Sequence, residues 1–112
     1  MKARALKEIP VTEPMKGLSK RVGIGPDEGA PNFVMRIFEM QPGLSSPQHS
    51  HPWEHGIYVL EGNATALNGE GKKTSIKKGD VVFIPSEEKH CIMNTGSAPF
   101  QFICMVPAGC DK

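Results

Sequence analysis

The sequence predicts a small all-β domain, a barrel or sandwich of short strands. Ten prolines and twelve glycines divide the 112 residues into pieces too short for helices of any length, and no stretch has a sustained helical period of apolar residues. Between these breaks lie short runs of β-forming residues at the spacing that is typical of small barrels and sandwiches. The chain is long enough for one hydrophobic core and too short for a second domain.

Predicted strands and turns alternate along most of the chain. Strands are expected in the runs that combine β-branched, aromatic and other apolar residues, which are residues 32–40, 55–61, 63–67, 74–76, 80–84 and 100–106. The glycine-containing segments 68–73 and 77–80 predict hairpin turns between successive strands. Four lysines in and beside these turns, Lys72, Lys73, Lys77 and Lys78, are interpreted as a solvated surface.

The first 31 residues differ from the remainder, because proline and glycine recur throughout them. This composition predicts an extended N-terminal arm, residues 1–31, with at most a short strand at residues 20–24. The barrel itself is then expected to comprise residues 32–112.

All four histidines of the chain fall in two segments. His49, His51 and His55 lie close together, and His90 follows a second run that begins at Gly79. Side chains alternate along a strand, so His49 and His51 point the same way, and His55 has the same parity. Buried imidazole nitrogens without partners cost about 1–3 kcal/mol each. A divalent metal would satisfy all three, and His90 would supply a fourth nitrogen from a neighbouring strand.

Charge and cysteine content exclude several classes of function. Thirteen basic and twelve acidic side chains give a net charge of +1, so we expect neither nucleic acid nor a membrane as a partner. No apolar run follows the basic N-terminal residues, and we therefore expect a cytoplasmic protein. The three cysteines form no CxxC pair and are expected to be free thiols; on a strand, Cys91 would face away from the His90 side chain.

The two histidine segments resemble the two sequence motifs of the cupin superfamily. The first motif is matched by Gly43, His49, His51 and Gly62. The second motif is matched by Gly79, Pro85, His90 and Asn94. Two positions depart from the pattern: His55 stands where the family has Glu, and Glu87 stands where Gly is more common.

The resemblance implies a single-domain cupin barrel, a double-stranded β-helix or jelly roll. It further implies that His49, His51, His55 and His90 bind one divalent transition metal in the mouth of the barrel. The chain is similar to the small four-histidine, manganese-binding cupins, so manganese is expected first. Imidazole ligands also suit iron, nickel, copper and zinc. Replacing Glu by His removes a negative charge, which would leave the metal a stronger Lewis acid.

The same resemblance implies a metal-dependent oxidoreductase, dioxygenase-like, that acts on a small organic molecule. Four histidine ligands leave one or two coordination positions open for a ligand. Two alternatives stay open, a non-catalytic small-molecule-binding or sensor cupin and a cupin isomerase, because one barrel hosts many functions. Cupins commonly pair by exchanging N-terminal strands, and an extended arm with an edge strand cannot bury itself on a small barrel. We therefore expect a homodimer.

Residues near the histidines have several interpretations. Glu54 has the opposite parity to His55 and is expected to point away from the site. Trp53 is either a lid over the metal or a packing residue. Arg36 either faces outward or, if it points inward, could clamp a substrate carboxylate. The residues predicted to line the barrel core are Phe33, Met35, Ile37, Phe100, Phe102 and Cys104.

Overall fold

The computed structural model describes residues 1–111, which form nine β-strands and two 3-10 turns, at Leu6–Glu8 and Pro26–Glu28. The strands are β1 (Val11–Met15), β2 (Leu18–Ile24), β3 (Phe33–Met40), β4 (His55–Glu61), β5 (Asn63–Asn68), β6 (Lys73–Lys77), β7 (Val81–Ile84), β8 (His90–Met93) and β9 (Phe100–Pro107). Within this described part of the chain, no helix is long and apolar enough to cross a membrane.

The strands form two antiparallel sheets with the core between them. One sheet has six strands in the order β1-β2-β3-β9-β4-β7, and the other has three in the order β6-β5-β8. Buried residues of both sheets belong to one cluster, for example Val34 and Phe100 from the larger sheet and Ala64 and Ile92 from the smaller. The predicted all-β barrel of the double-stranded β-helix type is therefore confirmed.

The strands predicted from sequence all appear, within one or two residues of their expected ends. Strand β4 begins and ends where it was predicted, at His55 and Glu61. Two strands were absent from the predicted set: β8, and β1, whose sequence VTEPM contains a proline and is mostly exposed. The short strand expected at residues 20–24 belongs to the longer β2.

Residues 11–24 form a hairpin that continues the six-stranded sheet. Strand β2 pairs with β3 of the same chain, with Leu18 opposite Met40 and Val22 opposite Arg36. This part of the predicted arm is thus a pair of strands joined to the sheet, since backbone hydrogen bonds to β3 satisfy groups that would otherwise be exposed. The domain boundary at residue 31 and the homodimer stay predictions.

The assignment of Phe33, Met35 and Ile37 to the barrel interior was wrong. Strand β3 pairs with β9 so that Phe38 lies opposite Phe102, and directly opposite residues share a face of the sheet. Phe102 is buried in the core, as predicted, so the even-numbered residues of β3 face inward. The prediction failed because both faces of β3 carry apolar residues. Arg36 lies on the even-numbered face, and a charged residue there suggested that this face was exposed and the odd-numbered face was the core.

The outward face of β3 is partly covered by the N-terminal residues. Met35 and Ile37 line a second cavity together with Leu6 and Ile9. Ile37 is 9% exposed, which shows that an apolar residue on the outer face of a sheet can be buried by a segment outside the barrel.

Two motif residues act on the backbone. Gly62 has φ +92, and a Cβ there would lie 2.6 Å from the carbonyl oxygen of Pro99, so only glycine fits. The Asn94 side chain is buried; its amide group donates to the carbonyls of Met40 (2.8 Å) and Ala98 (3.0 Å), and its oxygen accepts from the Gly96 N–H (3.0 Å). Asn94 therefore holds the turn between β8 and β9.

Glu87 has an unusual backbone conformation for a residue with a side chain. Its φ is +69, the only positive value at a non-glycine position among residues 1–111. Its N–H donates a hydrogen bond of 2.6 Å to the carbonyl oxygen of His51. This turn therefore contacts the histidine segment, and its left-handed conformation explains why the family more often has glycine here.

We predict that Glu87→Gly stabilises the protein. Removing the Cβ relieves the strain of the left-handed backbone conformation. This stabilisation exceeds the entropic cost of a more flexible unfolded chain by about 0.5–1 kcal/mol. The melting temperature should rise by roughly 2–6 °C in calorimetry. Glu88→Gly is the matched control, because Glu88 has no positive φ, and it should lower the melting temperature. An unchanged or lower value for Glu87→Gly would show that the side chain contributes more than the strain costs.

Candidate metal centre

The four histidines lie on elements from both sheets. His55 is the first residue of β4 and His90 is the first residue of β8. His49 and His51 lie in the segment between β3 and β4. An isolated antiparallel bridge joins His49 to His90: the His49 N–H donates to the His90 carbonyl (3.1 Å), and the His90 N–H donates to the His49 carbonyl (2.9 Å). Opposed residues of such a pair project their side chains to the same face.

The imidazole rings form a close cluster. The His49 ring centroid lies 4.5 Å from that of His51 and 4.7 Å from that of His90. One ring nitrogen from each of these three residues lies within 4.8 Å of the others. The His55 ring centroid is 5.0 Å from that of His90 and 5.3 Å from that of His51. The structure thus brings together all four histidines that the sequence singled out, with His55 beside the tighter group of three.

Two observations fit a bound metal ion. His90 Nδ1 lies 2.9 Å from the Glu88 carbonyl oxygen, and because a carbonyl only accepts, Nδ1 carries the proton and Nε2 keeps a free lone pair. His55 is 7% exposed, and its Nδ1 is buried without a hydrogen-bond partner among residues 1–111. An all-imidazole donor set suits first-row transition metals, so these residues could hold one.

Burial favours the neutral form of His49, His51 and His55. Burial, followed by the effects of the nearby His90 and Arg36, lowers the pKa of His55 from its ordinary 6.5 to about 4. Burial and the neighbouring His90 also lower the pKa of His49 and of His51. Neutral imidazole is the form that binds a metal, so these three side chains are ready for coordination at neutral pH.

The histidines face a cavity of about 500 Å³ inside the barrel. Its wall is mainly apolar and includes Phe38, Met40, Ile57 and Phe102. Among the described residues that line it, the charged side chains are Lys20 and Arg36, and none is a carboxylate. Apart from the histidines, the cavity therefore combines apolar surface with positive charge.

The structure decides the orientation of three residues near the site. The Trp53 ring stacks on His51, with centroids 4.4 Å apart and planes inclined by 6°, so it packs as part of the cavity wall. Glu54 is exposed and does not line the cavity, as its parity predicted. Arg36 is 6% exposed and lines the cavity, which is the inward orientation that the sequence left open.

Lys20 and Asp111 were missed by the sequence analysis. Lys20 lines the cavity, and its Nζ lies 2.7 Å from Asp111 Oδ1. Lys20 lies on β2, whose alternation of inward and outward residues could have revealed it had residues 18–24 been predicted as one strand. No sequence signal marks Asp111, because its contacts are to residues far away along the chain.

The chain is a jelly-roll barrel with a cluster of histidines that faces its interior and could hold a metal ion. Residues 36–106 match the cupin domain family. The match covers more than half of the chain, and the protein belongs to the cupin family.

Three known proteins show what the chain is similar to. The oxalate-binding protein of Thermotoga maritima is 35% identical over 68 residues, 61% of this chain and 56% of that protein. The 1-methylthio-D-xylulose 5-phosphate methylsulfurylase of Rhodospirillum rubrum is 32% identical over 78 residues, 70% of this chain and 49% of that protein. The chain therefore spans about half the length of these curated relatives.

The third is a solved structure, the polyketide cyclase RemF from Streptomyces resistomycificus. It is 30% identical, and the superposition covers 96% of this chain and 79% of that chain with a TM-score of 0.89. The likeness therefore extends over both sheets and over the β1–β2 hairpin outside the family match.

We predict that the metal-free protein loses stability as the pH falls from about 7.5 to about 5. The unfolded chain binds protons at His55 near pH 6.5, whereas the folded chain binds them only near pH 4. In this window the unfolded state holds more protons, so acid favours unfolding. The lowered pKa values of His49 and His51 change the stability with pH in the same direction. The other titratable or charged groups that face these histidines are His90 and Arg36. Urea unfolding of chelator-treated protein measures the effect.

The matched variant for this measurement is His55→Gln. It should lose less stability between the two pH values than the wild type, while Lys72→Ala, on the exposed hairpin, should lose as much as the wild type. An equal loss in His55→Gln and wild type would show that His55 does not carry the pH dependence.

Proposed function

We propose that the protein binds one divalent transition metal through His49, His51, His55 and His90, and that this centre acts on a small organic molecule in the cavity. The observation that carries the proposal is the convergence of four imidazoles, three with lowered pKa values, on one largely apolar cavity. Manganese is expected by family resemblance, whereas the all-nitrogen ligand set favours copper, nickel or zinc in affinity.

When bound, such a metal supplies Lewis acidity and, for a redox-active ion, electron transfer to a coordinated substrate. The chain's own residues prepare the site for it. The Glu88 carbonyl fixes the His90 tautomer, and Trp53 holds the His51 ring by stacking. The apolar wall excludes water, which strengthens electrostatic interactions inside the cavity.

No carboxylate lines the cavity among the described residues, and this limits the kinds of proton transfer that the cavity can support. A general base of the Glu or Asp type is not available there, and Glu54 is exposed. The four imidazoles are assigned to the metal, so the proton acceptor in this proposal is the substrate's own oxygen. This favours substrates that ionise readily, such as enols, phenols and 1,3-dicarbonyl compounds.

Among the reactions of such substrates, a dioxygenase-like oxidation is the one implied by the family resemblance. A second candidate is ring closure of a chain that carries several carbonyl groups, favoured by the likeness to the polyketide cyclase RemF over 96% of this chain. A third candidate, ligand binding without turnover, is favoured by the similarity to a protein named for binding oxalate.

We expect the protein, purified without a histidine tag, to carry about one transition-metal ion per chain. His55→Ala should lose the metal or bind it at least about tenfold more weakly, because it removes a nitrogen from the cluster. Plasma mass spectrometry measures the content. Gln48→Ala is the matched control, since Gln48 neighbours His49 but is exposed and bonds to the Asn68 carbonyl. A wild type that is metal-free and refuses added metal would refute the centre.

The reaction class can be tested with the metal-loaded protein, an oxygen electrode and mass spectrometry of the products. Catechols, enols and a linear poly-β-ketone are suitable substrates. Oxidation consumes O₂ in step with the substrate, whereas ring closure releases water and needs no O₂. In either case His90→Ala should lower kcat/KM by about a hundredfold or more, because the metal is lost. Saturable binding without any product would favour the ligand-binding protein.

A further inference from the structure

The cavity contains a buried cation that the histidine cluster does not explain. Arg36 lies on β3 opposite Cys104 of β9, and its side chain is 7% exposed. Taking a guanidinium out of water costs several kcal/mol unless an anion and hydrogen-bond acceptors replace the water. The contacts of Arg36 therefore show how far its charge is compensated.

Residues 1–111 supply Arg36 with less than one full anion. Its Nη1 lies 3.4 Å from Asp111 Oδ1, and the same oxygen lies 2.7 Å from the ammonium of Lys20. Two cations thus share one carboxylate oxygen, and Lys20 is the closer. The other main contact, Nη2 to Cys104 Sγ at 3.0 Å, adds no charge, because burial raises the pKa of the Cys104 thiol and keeps it neutral.

Arg36 also retains donor capacity. A guanidinium has five N–H groups, and residues 1–111 accept from its three nitrogens only once each, two of these contacts being as long as 3.4 Å and 3.5 Å. No carboxylate lines the cavity itself among residues 1–111, so the Asp111 oxygen that Lys20 shares is the one competitor for Arg36 there. An oxygen anion that entered the cavity would find both unused donors and uncompensated positive charge.

The cation and the histidines face one another in the same cavity. Arg36 is among the groups that lower the pKa of His51 and of His55. Next to the cation lies apolar aromatic surface: the guanidinium is 5.2 Å from the Phe38 ring centroid, and Phe38 stacks on Phe102 at 5.2 Å. A ligand with an anionic oxygen and a flat apolar body would match all of these groups.

We propose that Arg36, assisted by Lys20, binds an anionic oxygen of the substrate, so that the cavity takes small organic anions with an apolar, aromatic-sized body. This inference deepens the proposed function and rests on it for the identity of the cavity as the substrate site. In the absence of the ligand, the Asp111 carboxylate pairs with Arg36 and Lys20. The ligand's anionic oxygen competes with this carboxylate for the two cations. Arg36 and Lys20 are then specificity-determining residues for the charge of the substrate.

The test compares 2-naphthoate with its uncharged methyl ester, by fluorescence titration of the full chain as purified and again after metal removal. The wild type should bind the acid more tightly than the ester by about tenfold or more. Arg36→Met should bring the two affinities within about twofold of each other. Asp111→Asn should raise the affinity for the acid and leave that for the ester unchanged, because it releases both cations.

The matched control is Arg21→Met, which removes the same charge from the neighbouring strand. Arg21 bonds to the carbonyls of Leu6 and Ile9, outside the barrel, so this variant should keep the preference for the acid. Thermal unfolding checks that each variant folds. Should Arg36→Met fail to fold, Arg36→Lys and Asp111→Asn carry the test, since the first should weaken the preference and the second should strengthen it.

Four results would overturn the inference. Two concern the wild type: equal binding of the acid and the ester, or binding of neither compound. The other two concern Arg36→Met: a preference for the acid that survives, or an equal loss of affinity for both ligands. An equal loss would mark Arg36 as purely structural. Metal removal separates the two proposals. A preference for the acid that persists in a protein unable to bind metal would support the role of Arg36 and refute the metal centre.

Discussion

The antiparallel pairing between the histidine segment and β8 is the constraint on which the site depends. The bridge between His49 and His90 belongs to a series of backbone hydrogen bonds that begins where Gly43 and Leu44 pair with Asn94, continues where Ser46 bonds to Ile92, and ends where Glu87 bonds to His51. These bonds fix a loop of irregular structure against the three-stranded sheet. His55 then approaches from β4 of the other sheet, so the imidazoles meet only because the two sheets close into a barrel.

Electrostatics inside the barrel follow from the histidine at position 55. With Glu at this position the cavity would hold a carboxylate beside the imidazoles; with His55 the described wall has none. A metal bound by four neutral ligands keeps its full charge, and Arg36 and Lys20 add to it. With such a metal the largely apolar interior would be electropositive, and charge interactions are strong in an apolar medium. An anionic ligand would be attracted from both the histidine cluster and the cations.

Parity and motif spacing predicted much of the site from the sequence. Strand β4 and the common orientation of His49, His51 and His55 were predicted from alternation along a strand, which is a local property, although His49 and His51 lie outside the nine strands. The orientation of β3 did not follow, because Val34 and Met40 on one face and Ile37 on the other are all buried. Asp111 contacts Lys20 and Arg36, which precede it in the chain by 91 and 75 residues respectively. Such contacts depend on the register of the sheet and on the path of the C-terminal residues, which no local pattern reveals.

The motif residues and the residues that set the charge of the cavity are different, so membership of the family does not by itself define the substrate. Gly62 and Asn94 stabilise turns of the backbone, and neither lines the cavity. The residues that set the charge of the cavity lie elsewhere: Lys20 and Asp111 are outside residues 36–106, the part that matches the cupin family, and Arg36 is the first residue inside it. Relatives that share the motifs can thus differ in the charge of their ligands without any change in the fold. The charge preference that we propose would consequently depend on the β1–β2 hairpin and on Asp111, which both act on Arg36.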